Sequence, residues 1–294
     1  MAQAPWGDLV AEKTRRLGAL CLGIDPVWSD IPLCFRPTGK DPLDALRDYV
    51  SFVLDTTADL VGMVKFQSAF FEAFGSSGVR ALASSVAEAR RKDMAIIMDA
   101  KRGDIGSTSA AYAAAYLTPP QKGVASDLES DCLTVNPFLG PDTLEPYIEC
   151  ARQYGKGVFI LTKTSNPGSA WLQDQRVEDS LISDRVARLV SDWCEETMGS
   201  QGVGCVGAVV GATYPADGQR LRALMPNAII LAPGLGPQGG KAEDIKVLRR
   251  ADGTGLIAPV SRGITRADDL NLSQRAYGDH LRAQVAHYQS ILTV

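Results

Sequence analysis

Met94-Ala95-Ile96-Ile97-Met98-Asp99-Ala100-Lys101-Arg102-Gly103-Asp104-Ile105-Gly106-Ser107-Thr108 passes from an apolar run, through a charged hinge, into the hydroxyl-rich start of a helix. A short apolar run bounded by polar residues reads as a buried strand. Its two-residue period places the side chains of Asp99 and Lys101 on one face. Charges in that position need partners, because desolvating an unpaired ion is costly. An isolated Asp-x-Lys is equally compatible with an ion pair that only fixes a strand end. Asp104 and the helix start that follows shift the reading toward a functional site, since a purely structural junction rarely needs three charges at one point.

The same strand-then-helix unit recurs along the chain. Apolar runs at Gly18 to Ile24, Leu60 to Val64, Met94 to Met98, Cys132 to Val135, Val158 to Leu161, Val206 to Val210, Ala228 to Leu231 and Leu256 to Val260 give eight candidate strands. Between and after them, helical spacing or composition predicts helices at Leu43 to Asp59, Val79 to Arg91, Ser107 to Tyr116, Leu144 to Tyr154, Val177 to Thr197, Gln219 to Leu224, Ala242 to Arg249 and Asp268 to Leu292. Eight strand-helix units fit a closed parallel (β/α)8 TIM barrel better than an open doubly wound sheet. An additional N-terminal helix, Trp6 to Leu17, is placed to cover the barrel bottom. The 28–42 and 119–131 segments read as loop insertions, so residues 1–294 are expected to form a single barrel domain.

Composition narrows the function. There are 30 basic and 34 acidic residues, a formal charge of −4, without a long basic block, so nucleic-acid binding is disfavoured. The six cysteines are scattered, lack Cys-x-x-Cys spacing and often sit in apolar runs, as buried thiols of a reducing compartment do. His280 and His287 lie near the C-terminus, away from the cysteines, so no metal site is expected and neither histidine is a natural candidate for the base. No signal-peptide-like core and no bilayer-length apolar stretch occurs, which predicts a soluble cytoplasmic protein without membrane partners.

In a barrel, the active site lies at the C-terminal ends of the strands. Asp25, Lys65, Asp99 and Lys101 end the first three runs and would converge in one mouth. In such an alternating array each lysine keeps its neighbouring carboxylates ionised, and the carboxylates hold the lysines protonated. A substrate carboxylate pressed against this negative charge would be relieved by leaving as carbon dioxide, and a protonated lysine could meet the carbanion. Pro233-Gly234-Leu235-Gly236-Pro237-Gln238-Gly239-Gly240 follows the seventh run and Ser261-Arg262-Gly263 the eighth, where barrels often bind phosphate through glycine-flanked amides and an arginine. Ser165, in Thr164-Ser165-Asn166-Pro167-Gly168, is either a hydrogen-bonding group for a polar ring or a turn residue. Walker, dinucleotide and nucleophile-elbow motifs are missing, which argues against a kinase, a nicotinamide enzyme or an α/β-hydrolase. A sugar-phosphate barrel enzyme working through an enediolate and a noncatalytic phosphometabolite binder remain the alternatives.

Met98-Asp99-Ala100-Lys101-Arg102-Gly103-Asp104-Ile105-Gly106-Ser107-Thr108 resembles the Asp-x-Lys-x-x-Asp signature of the orotidine 5'-phosphate decarboxylase family, in its longer-chain bacterial subgroup. Lys65-Phe66-Gln67-Ser68-Ala69-Phe70-Phe71-Glu72 is similar to the family's second-strand motif, and Pro233-Gly234-Leu235-Gly236 with Gln238-Gly239 to its phosphate-side loop. The resemblance implies decarboxylation of orotidine 5'-phosphate to uridine 5'-phosphate, in pyrimidine biosynthesis, without metal or organic cofactor. It implies Lys101 as proton donor to C6, Asp99 beside the reacting carboxylate and Lys65 in the charged network near the ribose. Asp25 would contact the ribose and Ser165 the pyrimidine, while Pro233, Gln238, Gly239 and Arg262 would form the phosphate side. It further implies a homodimer in which Asp104, Ile105 and Thr108 enter the neighbouring subunit's site. Asp104 and Thr108, four residues apart, could share a helical face.

Overall fold

The computed structural model describes residues 4–212, 214–236 and 242–293. Eight parallel strands close into a barrel in chain order: β1 (Leu20–Ile24), β2 (Met63–Gln67), β3 (Ala95–Arg102), β4 (Cys132–Val135), β5 (Gly157–Lys163), β6 (Val206–Val210), β7 (Ile230–Leu231) and β8 (Leu256–Val260). The last strand pairs with the first, Leu20 beside Ala258 and Leu22 beside Val260, so no sheet edge remains open. The expected TIM barrel is therefore the observed fold. Three of the runs coincide with their strands, whereas β2, β3 and β5 continue past the apolar residues into the charged ones. Lys65, Asp99, Lys101 and Lys163 are consequently strand residues rather than residues of the following loops. Ala228 and Ile229 are buried but lie outside the two-residue strand β7.

The helices form for local reasons that can be read residue by residue. In the helix Pro42–Thr57, the Asp41 carboxylate accepts from the backbone N–H groups of Leu43 and Asp44, and Pro42 supplies a first position that needs no N–H partner. Ala45, Leu46, Tyr49, Val50, Val53 and Leu54 then line one buried face at helical spacing. Each large aliphatic side chain on that face contributes about 1.5–3 kcal/mol. The N-terminal helix Trp6–Leu17 packs below the barrel, with Trp6 edge-on to Phe159 at 6.1 Å and buried Lys13 paired with Asp93 at 2.6 Å. It sits at the end opposite the strand C-termini, as its position before the first strand predicts.

One predicted helix is corrected. The 177–197 segment does not start helical: Arg176–Val177 and Ser180–Leu181 form a small antiparallel hairpin, and the helix runs Ile182–Glu196. Glu178 turns the hairpin with φ +56°, and the Glu-Asp-Ser sequence offers turn hydrogen bonding that competes with the apolar periodicity. Among the described residues no helix is long and apolar enough to cross a membrane. The six cysteines carry no disulfide, and all but Cys34 are buried.

Candidate active site

The strand registers put the charges of the first three strands at two depths. Lys65 pairs with Ile97, one layer below the level at which Gln67 pairs with Asp99. From there the Lys65 ammonium reaches up to Asp99 Oδ2 at 2.9 Å and lies 3.8 Å from Asp25 Oδ1. Gln67 Oε1 accepts a further hydrogen bond from Lys65 at 3.3 Å. Lys101 completes the array on the other side, its ammonium 2.5 Å from Asp99 Oδ1. The result is an unbroken row, Asp25, Lys65, Asp99, Lys101, in which every ion has an opposite neighbour.

Burial raises the stakes of that pairing. Lys65 and Asp99 are only 6% and 7% exposed, so both are largely stripped of water. Burial would push the Lys65 ammonium down, but Asp99 and Asp25 outweigh it and hold Lys65 above the ordinary lysine range. Burial would likewise push the Asp99 carboxyl up, and the Lys65 and Lys101 ammoniums hold it well below the usual carboxylate range. Cys21, beneath the row, is pushed up to about 12 by burial despite the opposing influence of Lys65, so it sits there as a neutral thiol.

The backbone carries an unusual feature at the same place. Lys101 is a non-glycine residue at φ +47°, in the left-handed region. It lies where β3 bulges: β3 pairs regularly with β4 through Met98 and Leu133, and pairing resumes only at Arg102 and Val135. The two-residue alternation read from sequence therefore brings Asp99 and Lys101 together as expected, but through a bulge rather than a regular strand. Bulges re-aim side chains and are common beside active sites.

Above the row opens a cavity of about 620 Å³, within the range of small-molecule sites. Asp25, Lys65, Asp99, Lys101, Ser165, Pro233 and Arg262 all line it, so seven of the residues singled out in the sequence meet in one mouth. Gln238 and Gly239 lie outside the described residues. Ser165 is seated by close backbone approach: Gly211 N–H donates to the Lys163 carbonyl at 2.7 Å, and a Cβ at Gly211 would come within 2.8 Å of Ser165 Cβ. Gly23 plays the corresponding part at the closure, where a Cβ would collide with Ser261 Oγ.

Five residues at this mouth and on the strap that follows β5, residues 164–181, were missed by sequence reasoning. Gln67 and Thr134 line the cavity from β2 and β4. Thr134 is a polar residue in an otherwise apolar Cys-Leu-Thr-Val run, which was the available signal. Gln173 clasps the strap after β5, accepting from Thr164 N–H at 2.8 Å and donating to Thr164 Oγ1 at 2.9 Å. Lys163, 1% exposed, anchors that strap by pairing with Asp174, with its ammonium 4.9 Å from the centre of the Tyr214 ring. Trp171, 78% exposed, stands on the strap at the cavity rim.

Asp104, Ile105 and Thr108 do not line this chain's own cavity. Asp104 is half-buried and accepts from the Ile105 N–H, whereas Ile105 is 64% exposed. The helix begins at Gly106, so Asp104 precedes it and does not share a helical face with Thr108, contrary to the spacing argument. Exposed Phe138 and Leu139 follow β4. His280 stacks on Tyr277, His287 lies edge-on to Tyr288, and neither lines the cavity.

A closed parallel barrel with a buried, alternating carboxylate–lysine row in its mouth defines a barrel enzyme equipped to manage negative charge at a reacting carbon, in the class of carbon–carbon lyases. The comparisons with known proteins make that class specific. Residues 18–277 match the Orotidine 5'-phosphate decarboxylase / HUMPS family, and the chain belongs to it. The orotidine 5'-phosphate decarboxylase of Rhodopirellula baltica is 42% identical over 267 residues, spanning 88% of this chain and 87% of its own. That of Deinococcus radiodurans is 41% identical over 271 residues, spanning 92% and 91%. The solved structure of Leishmania donovani OMP decarboxylase superimposes with a TM-score of 0.72 at 31% identity, covering 95% of this chain and 98% of its own. The activity is accordingly the conversion of orotidine 5'-phosphate to uridine 5'-phosphate.

Proposed function

We propose that the charged row performs this decarboxylation directly, with Lys101 as the proton donor. The observation that carries the reading is the contact of one buried carboxylate, Asp99, with two ammoniums at 2.9 and 2.5 Å in the cavity floor. Asp99 is held ionised and Lys65 protonated, so the site presents fixed negative charge to an incoming carboxylate and fixed positive charge to the carbon beside it. The C6–carboxylate bond breaks, carbon dioxide leaves without the electron pair, and the pair remains on C6. Lys101 then gives one proton to C6 and recovers it from solvent. Lys65 stabilises the developing charge and keeps Asp99 ionised.

The remaining cavity residues supply binding and orientation. Arg262 and Pro233, with Gln238 and Gly239, take the phosphate, Asp25 the ribose and Ser165 the pyrimidine. Remote phosphate binding contributes to the transition state by holding the base against the row. Asp104, Ile105 and Thr108 serve a second subunit of a homodimer: they do not line their own cavity, and exposed Ile105, Phe138 and Leu139 provide apolar surface for a partner copy. Residues 1–294 act as one barrel domain.

The test is to mix purified, chelator-treated protein with orotidine 5'-phosphate and follow loss of the orotate absorbance. Turnover with formation of uridine 5'-phosphate is expected. No turnover by folded protein would sink the reading, and abolition by the chelator would favour a metal-dependent sugar-phosphate chemistry on the same fold.

A further inference from the structure

Thr134 occupies the point where the bulge in β3 would otherwise leave a polar group stranded. Between the Met98–Leu133 and Arg102–Val135 pairs, the β3–β4 ladder is interrupted, and Thr134 is the β4 residue facing the gap. Lys101 N–H donates to Thr134 Oγ1 at 2.9 Å. The Thr134 hydroxyl donates in turn to Asp99 Oδ1 at 3.0 Å, the oxygen that also receives the Lys101 ammonium. Thr134 is only 1% exposed, so water does not readily take over either role. The direction of both bonds is forced, because a backbone N–H can only donate and an ionised carboxylate can only accept. A single hydroxyl thus joins the backbone of Lys101 to the carboxylate that its own side chain pairs with.

We infer that Thr134 is a positioning residue for the Asp99–Lys101 pair. The inference rests on the assignment of that pair to the reacting centre. The hydroxyl satisfies the amide that the bulge withdraws from the ladder, and so holds the left-handed backbone that aims the Lys101 side chain. It also fixes the rotation of the Asp99 carboxylate, leaving Oδ2 for Lys65 and Oδ1 for Lys101. Without the hydroxyl, the Lys101 amide loses its partner in the ladder gap, and the bulge can relax toward a regular strand with its ammonium displaced from C6. Phosphate and ribose contacts lie elsewhere in the cavity, so capture of substrate is affected less than the chemical step.

The experiment compares Thr134→Val, Thr134→Ser and Lys101→Ala by steady-state decarboxylation of orotidine 5'-phosphate, with folding checked by thermal unfolding. Thr134→Val keeps the shape and removes the hydroxyl. Its kcat is expected to fall roughly 10- to 100-fold with KM little changed, the size of effect that loss of an orienting partner or a displacement near 1 Å produces. Thr134→Ser keeps the hydroxyl and is expected to restore most of kcat. If the valine variant fails to fold, Thr134→Cys takes its place, and its weak sulfur partner should give an intermediate kcat. Wild-type kcat in Thr134→Val, or serine as impaired as valine, would overturn the role of Thr134 alone. Normal turnover by Lys101→Ala would overturn the reading of the pair, and the role of Thr134 with it.

Discussion

Replacing Lys101 by glycine and by alanine removes the same ammonium but treats the backbone differently. The residue sits at φ +47°. A side chain with a Cβ in the left-handed region costs about 1–2 kcal/mol, which alanine retains and glycine escapes. Glycine gives back about 0.4–1 kcal/mol through the greater freedom of its unfolded chain. The balance leaves Lys101→Gly about 1 kcal/mol more stable than Lys101→Ala, the reverse of the usual order at a strand position. For a chain of this size that difference corresponds to an interval on the order of 2–4 °C in melting temperature. The ion pair lost is the same in both variants, and the Lys101 side chain is 44% exposed, so its removal adds little to either. Equilibrium urea unfolding of both proteins at one protein concentration and pH 7 measures the difference. If alanine proves equal to or more stable than glycine, Lys101 is not held in a strained conformation and the bulge is not a device for aiming it. Both variants should lack decarboxylase activity, which would make the strain a cost carried for function.

Further outcomes follow from the same geometry. Lys65→Met leaves Asp25 and Asp99 without the cation between them and should destabilise the fold by about 3 kcal/mol, the low end for breaking a buried pair, because Lys101 and Thr134 still contact Asp99. A denaturation midpoint unchanged from wild type would exclude that role. Asp99 has a folded pKa below its unfolded one, so its contribution to stability is present above about pH 4 and is lost as pH falls through the folded value. Lys65 is raised, so its contribution is complete below about pH 10 and is lost as pH rises through the folded value. Neither group should therefore impose a step on stability or kcat between about pH 5 and 9, and a step assigned by NMR to either carboxylate or ammonium there would contradict the pairing. Mixing Asp104→Ala with Lys101→Ala chains should regenerate activity by forming some mouths with both native residues; no recovery despite demonstrated subunit exchange would exclude a shared site.

The barrel was readable because each of its strands is a short apolar run closed by polar or turn residues, and because a closed parallel sheet is buried on both sides. The limits of those runs were less readable. Lys65 and Lys163 look like loop residues in sequence, yet they remain in the ladder because each buried ammonium is neutralised by a carboxylate rather than by water. The acid–lysine row could be anticipated from its recurrence at successive strand ends. The bulge that aims Lys101 could not, since nothing in Asp-Ala-Lys-Arg announces a left-handed lysine. Thr134 was hidden for a related reason: a β-branched residue in an apolar run is an ordinary strand former until its partners across the sheet are known. The strap after β5 was misjudged in part because the apolar residues of 177–197 mimic a longer helix. Asp104 illustrates a different limit: its four-residue spacing from Thr108 suggested a shared helical face, but the helix starts only at Gly106.

The decisive comparison sets chelator-treated wild-type protein beside Lys101→Ala, both confirmed as folded by their unfolding transitions, and follows conversion of orotidine 5'-phosphate to uridine 5'-phosphate. If Lys101 delivers the proton to C6, wild type turns over and the variant loses at least roughly 10²- to 10⁴-fold in kcat, the range supplied by a positioned general acid. A folded Lys101→Ala protein that decarboxylates at the wild-type rate would show that the proton comes from elsewhere and that the charged row does not work as described.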